Sequence, residues 1–197
     1  MTALANAINL PPDQIGMNGP VSSVEELNKV LIPQADGGVL SESGRVDYAF
    51  GPAPGVFSIV KSDNPTVIEE MEYLSMGEGP YYTLYRPYHL ASIEAPRSIG
   101  MAIINNEPGL QPKSWIAEVI GHAKKDLKKG EKIDGIGGFA TYGVTYPVAN
   151  TDNLIPLGLL EGATVIKDLK KGEPITKDSV ELPENLINSL RKLQEAS

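Results

Sequence analysis

No cysteine occurs among the 197 residues. That excludes disulfides, thiolate metal sites and a cysteine nucleophile, and it fits a cytoplasmic protein. Histidine is nearly absent too. His89 and His122 stand alone, without metal-ligand spacing, so no transition-metal site is expected. No apolar run approaches the ~20 residues of a membrane span. The first residues carry no basic segment ahead of their short apolar stretch, so no signal peptide is read there. Positive charge is scarce: 17 Lys and Arg face 25 Asp and Glu, a net charge of -8. With no basic stripe or tail, nucleic acid is excluded as a partner. A Walker A loop and a G-x-S-x-G elbow are missing. Asp134-Gly135-Ile136-Gly137-Gly138 is rich in glycine but runs into residues that read as a strand. A dinucleotide loop opens a helix instead, so no cofactor-binding residue is assigned.

What is present is ordinary in amount and distinctive in order. Hydrophobic residues make up 41% and charged residues 21%, enough to bury a core. Twenty glycines and 16 prolines predict short elements and many turns. The first seven residues read as the end of a helix stopped by Pro11-Pro12. Ser23 and Glu26 form a capping box ahead of Leu27, Val30 and Leu31, which predicts a helix over 23–32. Strands are expected at 46–50 and 56–60, split by a Gly-Pro-Ala-Pro-Gly loop. A helix follows at 66–74, a strand at 81–85 and a helix at 90–104, with Pro96 kinking it or starting it afresh. The Pro/Gly stretch at 105–113 is the best domain boundary.

Beyond it the pattern changes to short β segments between charged turns. Asp126-Leu127-Lys128-Lys129-Gly130-Glu131 recurs as Asp168-Leu169-Lys170-Lys171-Gly172-Glu173. Each copy reads as a strand, a charged turn with glycine at positive φ, and a return strand. Two copies are too few for a solenoid but suit a small folded-over β domain. Residues 183–196 read as a terminal helix with Pro183 near its first turn and an apolar face of Leu186, Ile187, Leu190 and Leu193.

The densest chemistry lies at 77–90, where four of the eight tyrosines gather with Arg86 and His89. Alternation along a strand puts Tyr82, Leu84 and Arg86 on one face and Tyr81, Thr83 and Tyr85 on the other. Arg86 has the fork that grips a phosphate or carboxylate. His89, at a strand-to-helix junction, has the chemistry of an acid, a base or a polar anchor. The same block also reads as an aromatic core strand, with Arg86 paired to a glutamate and His89 capping the helix. His122, inside a predicted strand, reads as a satisfied structural histidine.

Several segments together resemble a known group. They are Ala3 to Ala7 with Pro11-Pro12-Asp13, Gly16 to Pro20, Asp36-Gly37-Gly38, Gly51 to Phe57, and the Tyr-Arg-Pro-Tyr-His-Leu block with Glu94. Ala123 to Leu127 and Asp134 to Gly138 complete the set. The chain resembles homoserine-dehydrogenase-like oxidoreductases with a C-terminal SAF domain, the 1-deoxyxylulose-5-phosphate reductoisomerase-like enzymes of isoprenoid precursor synthesis among them. The resemblance implies an N-terminal NADP-binding domain, a central catalytic domain and a SAF domain behind it. The nucleotide-binding part and the family's catalytic lysine and acidic residue would lie ahead of this sequence.

The expected architecture is α+β: a mixed sheet with helices, then a small β-rich SAF-like (β-clip) domain and a terminal helix. The domains expected are the remainder of a catalytic domain at 1–110, the SAF-like domain at 111–182 and the helix at 183–197. Function follows as the catalytic and SAF part of an NAD(P)-dependent oxidoreductase, with His89 catalytic and Arg86 and Tyr82 binding substrate. The substrate is a small molecule. The nucleotide would come from a partner chain or a preceding half, and an uncovered apolar surface would drive self-association. The alternative is a stand-alone SAF module binding sugars or sugar acids, or a subunit of a sugar-acid dehydratase.

Overall fold

The computed structural model describes residues 1–52, 54–87 and 90–195. In chain order the helices are α1 (Thr2–Ile8), α2 (Leu27–Val30), α3 (Pro65–Tyr73), α4 (Ala91–Ile104) and α5 (Leu186–Glu195). The strands are β1 (Gly55–Lys61), β2 (Tyr81–Pro87), β3 (Ala117–Ala123), β4 (Thr141–Pro147), β5 (Thr164–Val165) and β6 (Val180–Glu181). This is an α+β chain whose sheets are small antiparallel pairs. It divides into two compact units, one of residues 17–113 with Met1 and one of residues 2–16 and 114–197.

In the first unit β1 and β2 pair antiparallel, from Gly55 opposite Pro87 to Lys61 opposite Tyr81. Phe57 and Ile59, on one face, pack against the buried cluster of Leu27, Leu31 and Leu40. On the other face Val56 and Leu84 are about half exposed. The α3 helix begins where Asn64 Oδ1 accepts from Thr66 N at 3.0 Å, with Pro65 at its first turn. Helix α4 runs unbroken through Pro96. Neither helix buries a residue.

Two expected elements shrink here. The helix expected over 23–32 is a 3-10 turn at Val24–Glu26 followed by the single turn of α2, and Ser23 makes no side-chain cap. The cause is competition for backbone. Val39 N donates to Val30 O at 2.9 Å and Leu40 N to Ile32 O at 3.1 Å, which draws residues 30–32 out of helical geometry. The strand expected over 46–50 reduces to isolated bridges such as Val21 with Phe50. There the Asp47 carboxylate accepts the amides of Asn18 at 2.9 Å, Gly19 at 3.0 Å and Tyr48 at 2.8 Å, and the chain wraps around it instead of extending.

The second unit is built on β3 and β4, paired from Ala117 opposite Pro147 to Ala123 opposite Thr141. Residues of α1 pack on it: the Asn6 carboxamide accepts from Ile116 N at 3.0 Å and Ala117 N at 2.9 Å. Its core includes Leu127, Ile133, Ile155, Leu160, Val165 and Ile175. The two sequence repeats face each other across this core. Leu127 and Leu169 exchange N–H···O bonds of 2.9 Å in both directions. Asp168 accepts from Lys129 N at 2.9 Å, and Asp126 from Lys171 N at 2.9 Å. Lys128 and Lys170 pair with the opposite aspartates at 2.9 and 3.3 Å. Glu131 accepts from Lys128 N at 2.8 Å and Glu173 from Lys170 N at 2.7 Å. Gly130 and Gly172 take the same left-handed φ, 91° and 90°, where a side chain would be strained. Each copy of the repeat therefore caps the turn of the other.

The terminal helix starts later than Pro183. Asn185 is its cap, its Oδ1 accepting from Asn188 N at 2.8 Å.

Candidate functional site

The start of β2 borders a cleft of about 890 Å³ within the first unit. Gly77-Glu78-Gly79-Pro80, the turn entering β2, forms one wall with Tyr81 and Thr83. Asn28, Lys29 and Asp36 line another part. The turn is shaped by backbone that only glycine tolerates well: Gly77 has φ 108° and Gly79 φ 73°. A Cβ on Gly79 would sit 2.3 Å from the Tyr82 Oη, so the turn and the Tyr82 ring fit only because that atom is missing.

Three side chains at the rim form a linked group. Tyr81 Oη donates to Asp36 at 2.5 Å. The Lys61 ammonium lies 3.5 Å from the same carboxylate and 5.2 Å from the centre of the Tyr81 ring. The Tyr81 hydroxyl's bond holds the Asp36 carboxyl below its ordinary range, with Lys61 adding to it. The same bond raises Tyr81, since the phenol is worth more to Asp36 protonated. The negative charge of Asp36 raises Lys61. At neutral pH the group is thus carboxylate, phenol and ammonium. Asn28 Nδ2 donates to Tyr81 O at 2.9 Å, while Asn28 Oδ1 and Thr83 Oγ1 are buried without a hydrogen-bond partner. A lining of this kind suits a hydroxylated small molecule that both donates and accepts.

The residues singled out from sequence take separate places. Tyr82 is fully buried, its hydroxyl unpartnered. Arg86 lies mostly exposed on the uncovered face of β2 and pairs with Glu94 of α4. Four residues of strand, about 13 Å, separate the two. His89 lies outside the described residues. The cleft uses the opposite face, Tyr81 and Thr83, and groups that sequence reasoning passed over: Asn28, Lys29 and, except as a turn, Asp36, to which Lys61 is paired from outside the lining. A Tyr81–Asp36 pair spans 45 positions, and no local spacing announces it.

In the second unit His122 is buried and doubly bonded: Nδ1 to Gly172 O at 2.9 Å and Nε2 to the Tyr146 hydroxyl at 2.9 Å. The carbonyl can only accept, so Nδ1 donates and Nε2 accepts from Tyr146. Burial raises Tyr146. These are structural bonds.

A nicotinamide dinucleotide does not fit the glycine-rich segment at 134–138. The Asp134 carboxylate closes the loop from within, accepting from Phe139 N at 2.5 Å and Ala140 N at 3.0 Å, and so sets a negative charge where a phosphate would have to lie. A Cβ on Gly138 would sit 2.3 Å from that carboxylate, and the segment leads into β4, not into a helix whose N-terminus could face a phosphate. The turn Gly77–Gly79 joins a helix to a strand, the reverse of the dinucleotide order. Among the described residues no cluster of three or more His, Asp or Glu side chains is placed to hold a metal ion, and no helix is long and apolar enough to cross a membrane.

The cleft lies within one family match, and strands β3 to β6 lie within another. Residues 1–95 match the family described as oxidoreductase DRL, catalytic domain. Residues 108–181 match the SAF domain. The chain thus carries an oxidoreductase catalytic domain followed by a SAF domain. In that order the matches are those of an oxidoreductase with a C-terminal SAF domain. No curated protein matches the chain.

Proposed function

We propose that residues 17–113 form the substrate side of an NAD(P)-dependent oxidoreductase of the homoserine-dehydrogenase-like group. Within that group we place the chain with the 1-deoxyxylulose-5-phosphate reductoisomerase-like enzymes of isoprenoid precursor synthesis. The cleft at the start of β2, inside the range matched as an oxidoreductase catalytic domain, carries this reading. The chain's own part is to bind and orient a small hydroxylated substrate. Tyr81, Asp36 and Asn28 meet its hydroxyls. Arg86, on the opposite face of β2 and away from this cleft, acts as a separate anion-binding group: released from Glu94 it grips a carboxylate or phosphate, because a bidentate guanidinium bond to a ligand replaces an exposed ion pair of little worth. His89 is the acid or base, and Tyr82 holds the turn that frames the cleft. The dinucleotide is held by residues other than those described here, on a partner chain or a preceding domain.

The test is a titration of the purified chain with NADPH, read as energy transfer from Trp115, its single tryptophan. No saturable transfer is expected. Saturable binding at micromolar NADPH by the chain alone would overturn the assignment of the nucleotide site elsewhere. Sugar phosphates and hydroxy acids, screened by chemical-shift changes, should move the amides of 77–83. Binding that is unaffected by Arg86→Ala would take that role from Arg86.

A further inference from the structure

Helix α5 is amphipathic in the reverse sense for a helix that covers its own domain. Leu186, Ile187, Leu190 and Leu193 share one side of it, and Asn188, Arg191 and Glu195 share the other. The polar side is the one turned inward. Asn188 is buried and donates to Pro183 O at 2.8 Å. Arg191 donates to Glu118 at 2.7 Å and to Glu195 at 3.0 Å, and its guanidinium stacks 4.6 Å from the centre of the Trp115 ring. These contacts fix the helix about its axis. Rolling it over to bury the leucines would strand an arginine and a glutamate. The apolar side is therefore presented outward, with Leu186 73%, Ile187 60%, Leu190 55% and Leu193 69% exposed.

Beside this ridge runs a groove of about 540 Å³. Ile187 and Leu190 form one wall, and Val119, Pro156 and Leu159 lie across from them. Ridge and groove are adjacent, both are apolar, and the one arginine at the groove is neutralised by Glu118. A patch carrying both a ridge and its matching groove is complementary to itself, which is what a two-fold interface between identical chains requires. The exposed stripe amounts to roughly 500 Å² per chain, near the top of the range for the largest patch of a monomer. Doubled across a two-fold axis it reaches about the 1,000 Å² at which specific interfaces begin. No unpaired charge would be buried by the union.

We propose that α5 and its flanking groove form a two-fold interface with a second copy of this chain, each leucine ridge seated in the other's groove with Leu190 near the axis. The chain has no cysteine, so Leu190→Cys introduces its only thiol. Mild oxidation should convert that variant into a covalent dimer, because a residue near the axis meets its own copy within the ~7 Å that a disulfide spans. Lys192→Cys, off the stripe, should stay unlinked. In sedimentation the wild type should be a dimer and Leu190→Glu a monomer that still unfolds cooperatively, its melting temperature no longer rising with protein concentration as the wild type's does. Ile103→Glu in α4 serves as the control for other apolar surface and should leave the dimer intact. A monomeric wild type, a Leu190→Glu variant that stays dimeric, or equal cross-linking of the two cysteine variants would overturn the proposal. So would a dimer lost to Ile103→Glu and not to Leu190→Glu.

Discussion

Replacing Leu127 or Leu169 with alanine removes a buried side chain from each half of the repeat clasp. Both lie in the core of the SAF unit, 1% and 7% exposed, and their backbones exchange a pair of 2.9 Å hydrogen bonds. Alanine keeps those bonds and deletes only packing. The cost of such a change runs from about 2 to 5 kcal/mol, set by how far the surroundings collapse into the space. For two leucines at equivalent turns about 3 kcal/mol each is the working figure. Residues directly opposite in a hydrogen-bonded antiparallel pair lie ~5.5 Å apart at Cα, close enough for their side chains to share one environment. The double variant should therefore lose about 1 kcal/mol less than the two singles together. Urea unfolding followed through Trp115, which sits in this unit, reads the loss directly. With a slope of about 2 kcal/mol per molar urea, each single change lowers the midpoint by roughly 1.5 M. Strict additivity in the double variant, or a loss below about 0.5 kcal/mol at either site, would refute the clasp as a shared core.

Gly79→Ala should destabilise the first unit more than Gly77→Ala. Both glycines have positive φ, which costs any other residue about 1–3 kcal/mol, but only at Gly79 does the new methyl meet the Tyr82 hydroxyl. Near-UV circular dichroism of the tyrosines through a thermal melt checks the order, and equal losses would count against the packing argument. The Asp36–Tyr81 bond gives a pH signature. Asp36 is lowered, so its contribution is present above the ordinary carboxylate range and fades as pH falls through its lowered value. Tyr81 is raised, so its contribution is present below the ordinary phenol range and fades as pH rises through its raised value. The stability gap between wild type and Tyr81→Phe should be widest near neutral pH and narrow at both extremes. A gap independent of pH would show that the bond contributes nothing.

Local chemistry made much of the fold legible. The helix expected at 66–74 forms at Pro65–Tyr73, alternation marks β2, and the Lys-Lys-Gly-Glu turns give their glycine conformations away. Pairings across long stretches of chain stayed hidden. The repeat showed that two turns are alike but not that Asp126 caps the turn at 168–173 and Asp168 the turn at 126–131. The stripe of α5 was visible as an apolar face, yet its direction was decided by Arg191, which finds Glu118 and Trp115 far back in the sequence. At the cleft the Tyr-rich block drew notice to Arg86 and Tyr82, the chemically loud residues. The structure builds the cleft from their neighbours Tyr81 and Thr83, because the strand turns that face toward the loop carrying Asp36.

The clasp has a consequence for the order of events in folding. Lys128, Lys129 and Leu127 find their partners only once residues 168 and 169 are in place, so the first turn remains open while the forty or so residues between are made. The same holds further back, since the carboxamide of Asn6 waits for the amides of Ile116 and Ala117. Ribosomal synthesis delivers these segments early and leaves them without their bonds for several seconds, at 5–20 residues per second. Residues 2–16 accordingly stay without these partners until residues 116 and 117 have been made.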